Sequence, residues 1–65
     1  MFVQVERKLF VLALKQNEMG RFLRLTEEAP GRQNSILIPS TGFEELHQVL
    51  GEMIAANNSL PPPPA

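Results

Sequence analysis

Lys15 and the run Gly20-Arg21-Phe22-Leu23-Arg24 set a phenylalanine between two arginines, just after a polar turn. A cation beside an aromatic ring is the minimal platform for a single nucleic-acid strand, because the charge neutralises phosphate while the ring stacks on a base. Strand alternation puts Phe22, Arg24 and Thr26 on one face and Arg21, Leu23 and Leu25 on the other. Leu23 and Leu25 belong inward, which turns Phe22 and Arg24 outward beside Lys15 at the end of the preceding strand. The residue types by themselves also fit a plainer account: strand phenylalanines are commonly buried, and surface lysines and arginines are commonly solvated without a partner. Arg21 points to the other face and reads as structural.

The other reactive side chains point to no catalysis. His47 is the single histidine, and with no cysteine and no second histidine it makes no metal site, so packing is its expected role. Glu44 and Glu45 suit a helix start and solvation rather than acid-base chemistry. There is no Ser-His-Asp constellation, no phosphate-cradling glycine loop and no cofactor motif. The expectation is a binding protein, not an enzyme, with no cofactor and no metal.

The elements that must position these residues follow from periodicity. FVQVE alternates and predicts a first strand over residues 2–6, with Gln4 and Glu6 opposite Val3 and Val5. KLFVLALK is apolar on both faces, as a central strand is. QNEMG supplies a hairpin through Asn17 and Gly20. GRFLRLTEE is a third strand, APGRQN a loop, and SILIP a short fourth strand stopped by Pro39. STGFEELHQVLGEMIAA reads as a helix, with Thr41 and Glu44 at capping-box spacing. Phe43, Leu46, Leu50, Met53 and Ile54 form its apolar stripe. The predicted class is α+β, a four-stranded antiparallel meander followed by one helix. Residues 1–56 form the folding unit and residues 57–65 a flexible proline-rich tail.

A chain of 65 residues with no cysteine has a marginal core and no disulfide to staple it. Its hydrophobic content of 43% argues against wholesale disorder. One helix covers only part of one face of such a sheet, so a second copy is expected to complete the core. The net charge of −1 speaks against a strongly basic binder, yet it is segregated: all six basic residues lie within residues 1–35 and none beyond. The longest apolar run, residues 9–14, is too short to span a bilayer, and a signal-peptide pattern is lacking. No membrane association is expected, and cytoplasm or nucleus is the expected location.

ERKLFVLALKQNEMGRFLRLTEE followed by NSILIPSTGFEEL resembles one repeat of the PUR family, the purine-rich-element-binding proteins. The family's ordered elements correspond to Lys15-Gln16-Asn17, Gly20-Arg21-Phe22-Leu23 and Ser35-Ile36-Leu37-Ile38-Pro39, and the likeness covers about residues 4–55. It implies a ββββα repeat, two copies of which intertwine through their helices into one Whirly-like domain, so a single-repeat chain is expected to be a homodimer. It implies binding of single-stranded DNA or RNA, often G-rich, on the open sheet face, in transcription or RNA regulation. Lys15 then matches a nucleic-acid-contacting base, Asn17 a turn residue that reads bases, with Gln16 beside it, and Phe22 the stacking aromatic. Glu18 and Met19 stand where family turns commonly carry arginines, and Glu18 opposes phosphate.

Two other classes fit the same pattern. One is a dimerisation or protein-interaction scaffold that keeps the fold without binding nucleic acid, for which the net negative charge and the Glu18-Met19 turn are the signs. The other is a single-strand binder of the transcription-coactivator type, which also dimerises through a C-terminal helix. The four consecutive prolines read as polyproline II and are a weak signal for a groove-type partner.

Overall fold

The computed structural model describes residues 1–63. Strand β1 spans Phe2–Val5, β2 Lys8–Asn17, β3 Gly20–Ala29 and β4 Arg32–Pro39. They form one antiparallel sheet in sequence order. A short 3-10 turn, Ser40–Gly42, leads into helix α1, Phe43–Ser59. The strand order and the closing helix are those expected from the sequence.

Each hairpin turn has only two residues, and local chemistry fixes each one. Glu6 and Arg7 join β1 to β2, with Glu6 at a φ of 55°. The Gln4 side-chain amide donates to the carbonyls of Glu6 and Lys8, both at 3.0 Å, and so clamps this turn. Glu6 therefore lies in the turn rather than in the first strand. At the second turn, Asn17 Oδ1 accepts the Met19 N–H at 2.8 Å, and Gly20 takes a φ of 130°. At the third, Pro30 presets its φ and Gly31 adopts a φ of 81°, the arrangement that lets four residues reverse the chain.

Other boundaries also differ from the sequence reading. The loop expected across APGRQN contracts to Pro30 and Gly31, and β4 begins at Arg32. Arg32, Gln33 and Asn34 pair with Ala29, Glu28 and Glu27, and Gln33 Nε2 donates to Glu28 Oε1 at 3.3 Å. Cross-strand polar pairing thus extends a strand whose residues lack β propensity. At the helix start, Thr41 does not cap: Gly42 is the N-cap, without a side-chain hydrogen bond. The 3-10 turn after Pro39 draws Thr41 into helical backbone, where it cannot act as the cap. Glu44 and Glu45 still lie in the first turn, where the helix dipole favours them. The helix extends through Asn57, Asn58 and Ser59, three residues past the expected end of the folding unit. Pro61 to Pro63 are exposed, and the remaining tail residues, Pro64 and Ala65, lie outside the described part.

The register sorts side chains onto two faces. Val3, Phe10, Leu12, Leu14, Leu23, Leu25, Ile36 and Ile38 share the inner face. Leu9, Val11, Ala13, Lys15, Phe22, Arg24, Thr26, Ser35 and Leu37 share the outer face. The first turns of α1 approach the inner face, where Phe43, Leu46 and Leu50 bracket an apolar groove with Leu12, Leu14 and Leu23. The rest of the helix runs clear of the sheet: Met53 is 61% exposed and Ile54 60%. Among the described residues no apolar side chain is buried, and only Thr26, at 7% exposure, is enclosed. At one edge of the inner face the Lys8 ammonium meets Glu27 at 3.2 Å. That hydrogen bond and charge hold the Glu27 carboxyl below its ordinary range, with Asn34 and Arg32 adding to the effect.

At Gly31 an added Cβ would meet nothing within 4 Å, so a side chain there has only the backbone to oppose it. Gly31→Ala should therefore cost about 1–2 kcal/mol. Urea unfolding at matched protein concentration should show a lower midpoint, and an unchanged midpoint would contradict the positive-φ turn.

Candidate nucleic-acid interface

The outer face is built in cross-strand rows. Lys15, Phe22 and Pro39 form the row nearest the second turn, Ala13, Arg24 and Leu37 the next, and Val11, Thr26 and Ser35 the third. Lys15 and Phe22 are direct partners, which sets their Cβ atoms roughly 5 Å apart. Arg24 follows Phe22 by two residues on the same strand, about 7 Å along the face. These three side chains line one shallow depression together with Ser35 and Leu37.

Phe22 is half-buried, seated against Leu37 and Pro39, while Lys15 and Arg24 are exposed. The ring is thus held by its neighbours without being sealed into a core. Neither Lys15 nor Arg24 takes part in an ion pair among the described residues. The pair Thr26 Oγ1 and Ser35 Oγ, 2.9 Å apart, ties β3 to β4 in the row next to Arg24. The arrangement offers a π surface with one cation across the row and a second two residues along the strand, which suits a stacked base with phosphates on adjoining positions.

Two of the turn residues fare differently. Asn17 lies at the same end of the outer face and lines a pocket with Phe22, Leu37 and Pro39. Its side-chain oxygen accepts the Met19 N–H, so the amide nitrogen, a donor, is what it has for a ligand. Gln16 is turned to the inner face opposite Arg21, and its Oε1 accepts from Arg21 Nε at 3.4 Å. The pleat that brings Lys15 outward takes Gln16 away from Phe22, so the expectation that Gln16 belongs with the other four residues is corrected. Glu18 and Met19 form the exposed tip beside Asn17.

The helix residues Phe43, Leu46 and Leu50 face the inner groove, with Met53 and Ile54 continuing the stripe beyond it. His47 lines the same groove, among apolar side chains. Among the described residues no three His, Cys, Asp or Glu side chains are grouped to hold a metal. Sequence reasoning passed over Phe2, which pairs with Val11 and so stands on the outer face. The signal was present: period-two alternation places Phe2 with Gln4 and away from Val3 and Val5.

A family model described as PurA ssDNA and RNA-binding protein matches residues 1–59. The chain is 33% identical over 52 residues to Transcription factor Pur-alpha 1 of Arabidopsis thaliana, covering 80% of this chain and 18% of that protein. It is 38% identical over 56 residues to Transcriptional activator plp-1 of Caenorhabditis elegans, covering 82% of this chain and 25% of that protein. The chain spans a quarter or less of the length of these curated relatives.

The turn geometry gives Asn17 a structural role besides its place at the candidate site. Asn17→Ala removes the acceptor for Met19 N–H and should lower stability by about 1 kcal/mol. Asn17→Asp keeps an oxygen in place, and its urea midpoint should match the parent within error. Equal loss in both variants would contradict the turn hydrogen bond.

Proposed function

The chain belongs to the PurA ssDNA and RNA-binding family, and from that premise we propose that it binds single-stranded DNA or RNA on the outer face of its sheet. The observation that carries this reading is the half-buried Phe22 flanked by exposed Lys15 and Arg24 on one face. Lys15 and Arg24 hold phosphates, Phe22 stacks on a base, and the Asn17 amide donates to a base edge. The Asn17 amide donor suits the N7 acceptor that purines present, which supports a purine-rich or G-rich preference.

The functional unit is a homodimer in which a second copy closes the inner face, and the apolar groove and the uncovered stripe of α1 support this. Residues 1–56 form the repeat at its centre, with the helix carrying on to Ser59. The names of the relatives, a transcription factor and a transcriptional activator, favour a role in transcription or RNA regulation in nucleus or cytoplasm. A regulator of this kind binds without catalysis. No helix among the described residues is long and apolar enough to cross a membrane.

Anisotropy of a labelled G-rich single strand, titrated with protein across a salt series, tests the proposal. Affinity should fall linearly in log–log form as salt rises, and Lys15→Ala should reduce the slope by about 0.7. Phe22→Ala should weaken binding roughly tenfold while leaving the oligomeric state unchanged. Absence of binding at low salt would leave only the scaffold reading. Equal affinity of parent and Phe22→Ala would remove Phe22 from the site.

A further inference from the structure

Phe2 is an aromatic side chain that no part of the site so far uses. It is 74% exposed, and its cross-strand partner Val11 fixes it on the outer face, the face of Lys15, Phe22 and Arg24. The inner groove and the α1 stripe lie on the opposite side of the sheet, so closing the inner face does not cover it. β1 is firmly attached: Leu12 N–H donates to Met1 O at 2.8 Å, and the Gln4 amide clamps the adjoining turn. An exposed ring on a fixed strand is a preorganised contact rather than a loose end.

The surface between Phe2 and Phe22 is continuous. An open groove runs along β2 from Val11, the partner of Phe2, through Ala13 to Lys15, the partner of Phe22, and takes in Arg24. Glu28 lies at the groove's other end and accepts a hydrogen bond from Gln33 Nε2 at 3.3 Å, so a carboxylate faces the groove away from the Phe22 row. Val11 and Lys15 are four residues apart on β2, about 13 Å, and β1 and β3 are two strand spacings apart, roughly 10 Å, so the two rings stand about 16 Å apart. At a stacked rise of about 3.4 Å per nucleotide, a strand of about five nucleotides links them, and an extended strand needs fewer.

From this placement we propose that Phe2 is a second base-stacking residue, so that one single strand crosses the sheet diagonally from Phe22 to Phe2 with its phosphates passing Lys15 and Arg24. This rests on the nucleic-acid reading given above and adds to it a footprint and a direction. The occupant is a nucleic-acid strand rather than a protein segment because the groove between the two rings carries two cations, Lys15 and Arg24, against the single carboxylate of Glu28.

The chain contains neither tryptophan nor tyrosine, so one indole placed at either position reports alone. Phe2→Trp and Phe22→Trp, each in the full chain, are titrated with a purine-rich DNA octanucleotide and followed by tryptophan emission. Quenching in both variants supports the diagonal path. Quenching at position 22 with none at position 2 overturns it while leaving the nucleic-acid reading intact. Quenching at neither position removes both. Phe2→Ala, checked for unchanged circular dichroism, should bind the octanucleotide about fivefold or more weakly, and unchanged affinity also overturns the proposal.

Discussion

Everything in this chain turns on one constraint: a sheet with apolar side chains on both faces and a single helix to cover them. Leu12, Leu14, Leu23, Leu25, Ile36 and Ile38 present a hydrophobic inner face, yet only the start of α1 comes over it. The remainder of the helix carries Met53 and Ile54 into open solvent. Exposed apolar area on this scale opposes folding, since each large side chain left in water forgoes roughly 1.5–3 kcal/mol of burial free energy. A second copy that lays its own helix and sheet on this face removes that deficit, and that is the physical basis for proposing a homodimer.

The same division leaves the outer face open, which is the face proposed to bind. With the larger apolar load on the inner side, the outer side holds Phe22 half-buried near Leu37 and Pro39 and keeps Lys15 and Arg24 exposed. The sheet is the right support for such a site, because row pairing fixes distances that a loop would leave variable. The tight turns serve the same end. Asn17 closes its turn with its oxygen and brings its amide to the end of the site. The nearby Glu18 is an acid, and the proposed reading gives phosphate contact to Lys15 and Arg24 farther into the sheet.

Much of the fold could be read from the sequence because its determinants are local. The alternation of Phe22, Leu23, Arg24 and Leu25 assigned the two faces of β3, and the spacing of Phe43, Leu46, Leu50, Met53 and Ile54 assigned the helix stripe. What escaped depends on pairing or on competition between local structures. β4 extends back to Arg32 because its polar residues find partners on β3, which the propensities of those residues do not encode. Thr41 fits a capping pattern, but the 3-10 turn after Pro39 absorbs it. Gln16 follows Lys15 in sequence and was grouped with it, whereas the pleat sends adjacent side chains to opposite faces. For Phe2 the alternation of β1 already marked its face, and the register of β1 against β2 adds that it stands beside Val11.

The proposed homodimer requires that a second copy of the chain closes the inner face. Sedimentation equilibrium at micromolar concentration, on protein whose circular dichroism shows the mixed sheet and helix, tests it most directly. The homodimer should appear as a species of twice the chain mass that loses its folded signal as it dissociates on dilution. A folded species of single-chain mass at that concentration would contradict it.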